Sequence, residues 1–561
     1  MKKNRKVLAL LLAVSMLLGL LAGCGNKNTE DEKSPVGKDG KITIHVPLTD
    51  EPSSLDPGYG NSSDSISPRG MMYEGLVRIY DNVLAPGLAE KWEVSADGLT
   101  YTFHLRESYW SDGVKVTAAD FEYGFKRIVD PSDSAPNGNY QWMGDYIANG
   151  AAVRKGELPL DEYGIKAINE NTLEIKASSP MPYFVDILKT PCFYPVRQDI
   201  AEKYGKSYAS SADTVVCCGP FTLTKWDHES ELVFEKNDGY WNADAINIDV
   251  IDALIISDAE TMMNMFDAGQ LDMMPNITKE YIEKYVGTGE AIQMDGATIW
   301  YCAVNTISDR GAASTLLKNN AFRKALMYVI PRDQLVAAAR GDGSFGYTRI
   351  CPENMSTSYN NKSVGEMFPY APYPVAGDVE KAKEMFAQAL KETGLSANNL
   401  PTLTLLTFDD AGAKICAEVI QNLLKSNFGM EVEIDTQTYS ARQEKEHSGD
   451  YDLCITNWAP DYNDPMTFLE CFTSSNSFNT YFGGMQNSKY DALIAECAVD
   501  LDYKDRAEKF FEAEKMVCEE LPVIPLFQTS GYWAMKTYLT GITKCGFGAN
   551  DPDYSRVKYI G

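Results

Sequence analysis

Residues 403–458 read LTLLTFDDAGAKICAEVIQNLLKSNFGMEVEIDTQTYSARQEKEHSGDYDLCITNW. The first six are an apolar run of strand length, bounded by two aspartates. A helix follows around Ala413–Phe428, where Ile415, Val419 and Leu423 recur at helical spacing and Gly429 supplies the stop. Two further strand-like runs, 430–436 and 451–457, complete an alternation of strand, helix and strand. Such alternation signals an α/β domain with parallel strands.

Helices around 488–500 and 503–519 lie downstream, followed by a strand in LPVIPLF at 521–527. Upstream, 299–305 reads as an apolar strand. Asn320 caps a helix that Pro331 interrupts, and another helix spans Asp378–Thr393 before Gly394. The first half has a different rhythm. Alternating strands stand at 42–48, 99–105 and 172–177, with a hairpin over 219–236 and a strand at 248–256 ahead of helical DAETMMNMFDAGQLD. Thr117 and Asp120 form a capping box for a helix to Val129 that carries Phe121 and Phe125 on one face. A body of more than 500 residues needs at least two cores.

The N-terminus has basic Lys2, Lys3, Arg5 and Lys6, then apolar Val7–Ala22, then Leu21-Ala22-Gly23-Cys24. That order marks residues 1–23 as a secretion signal. Residues 24–41 are polar apart from one valine and are expected to be a flexible tether. The net charge of −28 falls to −32 once the four basic residues of 1–23 are removed, which argues against any nucleic-acid partner. Twelve cysteines, one of them Cys24, leave an odd eleven without repeated CxxC spacing, as in a protein from a reducing habitat. The four histidines, His45, His104, His228 and His447, are too scattered to suggest a metal site, and no cofactor is expected. No GxSxG elbow or HExxH pair supports the competing reading, a secreted hydrolase.

Several segments then stand together: EPSSLDP at 51–57, YEGLVRI at 73–79, the long block LAPGLAEKWEVSADGLTYTFHLRESYWSDGVKVTAADFEYGFKRIVDP at 84–131, GPFTLTKW at 219–226, KNDGYWN at 236–242 and WAPDYNDPMTFLECF at 458–472. This series resembles the extracellular solute-binding proteins of the peptide, oligopeptide and nickel ABC importers, from about Ile42 to the C-terminus. The resemblance implies an α/β, two-lobe periplasmic-binding-protein-like fold of type II, with three domains and a hinge of two crossing strands. The corresponding division is 42–75, 205–298 and 529–561 as discontinuous domain I, 76–204 as inserted domain II, and 299–528 as the C-terminal α/β lobe. The Leu-Ala-Gly-Cys ending is similar to a bacterial lipobox, which implies a lipid on Cys24 and anchorage to the outer face of the cell membrane, while the solute-binding resemblance implies no enzymatic activity.

The resemblance further implies a short peptide ligand, delivered to an ABC permease and its ATPase by a monomeric receptor. Asp461, between Trp458 and Tyr462, takes the position of the carboxylate that pairs with the ligand's terminal ammonium. On its own, an aspartate in DYNDP is more often a turn-former, and only the resemblance turns the reading toward the ligand. An extended peptide adds as a strand between two exposed edges, here Asn61-Ser62-Ser63 and Thr456-Asn457-Trp458. Tyr140, Trp142 and Tyr439 are placed as aromatic walls, with Tyr439 beginning a loop. Near the strand before the Trp, where some peptide-binding relatives carry basic residues, the corresponding stretch carries Glu446 and Ile455, leaving Arg340 as a substitute cation. A nickel chelate, haem, an oligosaccharide or a signalling peptide are the alternative ligands for the same fold.

Overall fold

The computed structural model describes residues 35–59, 63–80, 83–132, 141–359, 362–542 and 552–561. The expectations placed on the signal segment, Cys24, most of the tether, Asn61, Ser62 and Tyr140 lie outside them.

The alternation in 403–458 forms an α/β sheet. Leu403–Phe408 lies between Val432–Gln437 and Leu453–Trp458 and is parallel to both. The helix between the first two strands spans Ala411–Phe428; Asp410 caps it by accepting from the Ala413 N–H at 2.8 Å, and Gly429 ends it at φ +69°. Its buried stripe is Ala413, Cys416, Ala417, Ile420, Leu424 and Phe428, one step around from the expected Ile415, Val419 and Leu423, which are half-buried beside it. Both stripes have helical spacing, so periodicity alone does not choose between them. Tyr439–Ser448, expected as a loop, is a helix from Thr438 to Gly449 whose polar surface presents no apolar stripe. Asn319 rather than Asn320 caps helix Asn320–Val329.

Two strands are much longer than the apolar runs suggested. Ala291–Val304 and Val523–Met535 lie antiparallel to each other. At one end Ile299–Ala303 opposes Val523–Gln528 within the α/β sheet, where Leu453–Trp458 pairs with the other side of Ile299–Val304. At the other end Ala291–Asp295 opposes Ser530–Ala534, which also reaches Met273–Met274. Gln293, Asp295, Gly296 and Thr529 interrupt the apolar pattern and hid these halves. The ladder changes register between Asp295 and Ile299. There Gly296 approaches so closely that a Cβ on it would stand 2.5 Å from Thr529 Oγ1 and 2.9 Å from the Thr529 carbonyl oxygen.

These strands lead away from the α/β lobe toward a lobe with two sheets. One runs in the order Thr43–Leu48, Val250–Ile255, Glu231–Lys236, Phe221–Asp227, with only the first pair parallel. The other is antiparallel, in the order Ala89–Val94, Thr100–Leu105, Thr172–Lys176, Ile165–Asn169. Helix Ala118–Val129 packs on it with Phe121 and Phe125 buried, and Asp120 Oδ2 accepts from the Thr117 N–H at 2.8 Å as the capping box requires. One apolar core joins these sheets and extends to Tyr462, Phe468 and Phe472, while a second fills the α/β sheet. Ten cysteines among the described residues are buried free thiols, including the adjacent Cys217 and Cys218. Among the described residues, no helix is long and apolar enough to cross a membrane.

Candidate functional site

The segment after strand Leu453–Trp458 is a short loop fastened at several points. Arg506 donates to both carboxylate oxygens of Asp464, and both side chains are fully enclosed. The Ser356 N–H donates to Asn463 Oδ1 at 2.8 Å, and the Asp461 N–H donates to Thr467 Oγ1 at 3.2 Å. The Tyr462 ring stacks flat on Tyr183 of the other lobe, with centroids 4.4 Å apart. The sequence DYNDP therefore divides its work. Asp464, not Asp461, is the aspartate that secures the loop.

The carboxylate of Asp461 is left without a hydrogen-bond partner or basic neighbour among the described residues. Solvent reaches it, yet protein surrounds it on most sides, as in the wall of a cleft, and this partial desolvation pushes its pKa up to about 6. Glu470 lies close by. Its Oε1 accepts from the Tyr462 hydroxyl at 3.1 Å. Burial, reinforced by the negative charges of Asp461 and Asp464, outweighs that bond and pushes Glu470 up to about 7. Tyr146 faces this pair from the other lobe; burial, Tyr183, Glu470 and Asp461 together raise its pKa. Trp142, 46 % exposed, rests edge-on against Tyr146 with centroids 6.0 Å apart. The expected aromatic Trp142 thus approaches Asp461 through Tyr146, a residue the sequence reading did not single out.

Strand Leu453–Trp458 leads into this loop with one bare edge. Ile299–Val304 pairs with it on one side along its whole length, from Ile299 opposite Trp458 to Val304 opposite Leu453. On the other side, pairing with Leu403–Phe408 involves only Leu453 and Cys454. Thr456, Asn457 and Trp458 therefore carry an edge that no other described strand occupies. Arg442 closes the upper part of that edge. It donates to Glu446 Oε1 at 3.1 Å, Thr456 Oγ1 at 3.1 Å and the Ile455 carbonyl at 3.4 Å. The strand thus has a basic neighbour after all, missed because its helix was not recognised, although its charge is matched by Glu446. Tyr439, 55 % exposed, lies 4.9 Å from the Arg442 guanidinium and edge-on to Phe408. It borders the strand through Arg442, not through Asp461. The indole of Trp458 is wedged edge-on against Phe478 and Phe482.

Two expectations are corrected. Ser63 opens helix Ser63–Met72, so it offers no strand edge. Arg340 pairs with Asp342 at 2.8 Å and supplies no spare cation. Between the lobes, a cavity of about 400 Å³ borders the loop at Asn463 and is lined by Trp92 and Asp186 on one side and Ser356 and Glu366 on the other.

This arrangement is an inter-lobe cleft with an open strand edge and an uncompensated carboxylate. The sequence profile of the bacterial extracellular solute-binding proteins, family 5 middle region, matches residues 83–480. The chain belongs to this family. Over 556 residues it is 33 % identical to the oligopeptide-binding protein OppA of Bacillus subtilis, covering 98 % of each chain. The unliganded open form of the periplasmic murein tripeptide binding protein MppA superposes with a TM-score of 0.79 at 25 % identity, over 92 % of this chain and 97 % of that one. Listeria monocytogenes OppA bound to peptide gives 0.66 at 26 % identity, over 93 % and 100 %. The fold is accordingly the two-lobe type II architecture, and its open state is the nearer match of these two. As a family 5 member, the protein is an extracytoplasmic solute-binding protein.

Proposed function

We propose that this family 5 protein captures short peptides between its lobes and delivers them to an ABC permease powered by its ATPase. The observation that carries the reading is Asp461: an unpaired carboxylate on a rigidly fastened loop, next to a bare strand edge. An enclosed ammonium must meet a counter-charge, and Asp461 is the group placed to supply one. The edge at Thr456-Asn457-Trp458 offers main-chain partners that do not depend on ligand side chains, which suits a receptor for many sequences. Trp142, with Tyr146, forms a wall from the opposite lobe.

The lobes close over the ligand by bending the two long strands near Gly296 and Thr529. Ligand favours the closed state because only there do both lobes touch it. The division into 42–75, 205–298 and 529–561, 76–204, and 299–528 accompanies this reading. So do cleavage before Cys24, its lipidation, and a monomeric body tethered to the outer membrane surface. The relatives named for oligopeptides and a murein tripeptide support a peptide over a nickel chelate, haem or a sugar.

Calorimetry with mixed tripeptides, free amino acids, a nickel chelate, haem and oligosaccharides tests the reading: only the peptides should release heat. Mass analysis after prolonged incubation should return them intact, and cleaved peptide would point to an enzyme.

A further inference from the structure

We infer that Glu470 is a specificity residue that favours ligands with a cationic first side chain, an inference that rests on the peptide reading of the cleft. Asp461 and Glu470 form a pair of carboxylates with no basic side chain bonded to either among the described residues. Arg506 and Arg442, which fasten the loop and the strand that leads into it, are already committed. Arg506 is held by Asp464, and its remaining Nε donates to the Cys497 carbonyl at 2.8 Å. Arg442 is held by Glu446.

The geometry separates the roles of the two acids. Asp461 has no partner, whereas Glu470 is oriented through Oε1 by the Tyr462 hydroxyl, leaving Oε2 without a partner among the described residues. Both lie close enough to Tyr146, from the opposite lobe, to raise its pKa. A peptide's terminal ammonium brings one positive charge and neutralises one carboxylate. Closure of the lobes removes water and makes the second, unmatched charge more costly. The remaining charge is met when residue one of the ligand carries a flexible ammonium or guanidinium stem. The α-ammonium on Asp461 directs that first side chain toward its neighbour Glu470. The surroundings of Glu470 are Tyr462, Tyr146, Tyr183, Asp461, Cys471 and the Asp464–Arg506 pair, none of which supplies a free positive charge.

The test compares Lys-Ala-Ala with norleucine-Ala-Ala, equal in stem length but lacking the side-chain ammonium, by calorimetry at pH 7.5. A desolvated charge pair of about 1.4 kcal/mol makes the lysine peptide bind roughly tenfold tighter to the unaltered protein. In Glu470→Gln the ratio should approach one; the amide can still accept from Tyr462, and a melting curve checks the fold. Equal binding of the two peptides to the unaltered protein, which needs no variant, overturns the inference alone. So does a lysine advantage that survives Glu470→Gln. Failure of both peptides to bind overturns the peptide reading and the inference with it.

Discussion

Asp464 and Arg506 sit face to face with neither side chain exposed to solvent, the guanidinium donating to both carboxylate oxygens. Three residues earlier, Asp461 has no such partner. The buried pair sets the path of the loop, and the loop in turn presents Asp461 to the cleft. Arg506→Leu leaves the Asp464 carboxylate buried alone, a change expected to cost about 3–5 kcal/mol. Urea denaturation should show that loss, and Asp464→Leu combined with Arg506→Leu should recover part of it. An undiminished midpoint for Arg506→Leu would mean that the pair does not secure the loop.

The site should also respond to pH. In the folded, empty protein Asp461 is pushed up to about 6 and Glu470 to about 7. In the unfolded chain such carboxyls titrate near ~4. The folded state therefore binds more protons between these values, and the contribution of these groups to stability falls as pH rises from about 4 to about 7. A ligand ammonium favours the ionised form, so binding displaces protons. Calorimetry at pH 6 in buffers of different ionisation enthalpy should report proton release on peptide binding, reduced in Asp461→Asn. No release, or uptake, would contradict the assignment.

Gly296 allows the two long antiparallel strands to lie side by side with almost no space between them at Thr529. A methyl group there meets the Thr529 backbone and hydroxyl, neither of which is the free end of a flexible side chain. Gly296→Ala is expected to cost about 1–3 kcal/mol by overpacking. It should also reduce the ligand-induced fall in radius of gyration measured by solution scattering. Unchanged compaction would move the bending point elsewhere along the strands.

The thiols should be inert in the folded state. Burial pushes Cys217, Cys302, Cys416 and Cys497 up to about 12, and the other described cysteines are buried as well. A thiol reagent at pH 8 should modify none of the ten described cysteines until denaturant is added. Reductant should leave the melting temperature unchanged, because no described cysteine is bonded to another.

The α/β sheet was legible in the sequence because Leu403–Phe408 and most of Leu453–Trp458 are buried on both faces and read as apolar runs. The helix stops at Gly394 and Gly429 were equally readable. The far halves of Ala291–Val304 and Val523–Met535 were not, since they leave that core and carry Gln293, Asp295 and Thr529. Helix Tyr439–Ser448 went unseen for want of an apolar stripe, and with it the contact of Arg442 with Thr456. Asp461 was singled out from WAPDYNDP, but the two aspartates of that motif look alike in sequence. Arg506 distinguishes them, from 42 residues away. Glu470 carries no motif, and its environment arises only when Tyr146 and Tyr183 of the other lobe close around Tyr462.

The decisive measurement is the affinity of one tripeptide and its N-acetylated form for the unaltered protein and for Asp461→Asn. If Asp461 receives the terminal ammonium, the substitution should weaken the free-amine peptide by about 2 kcal/mol or more, roughly thirtyfold in Kd, while the acetylated peptide changes little. Equal losses for both peptides, or none for either, would contradict that role.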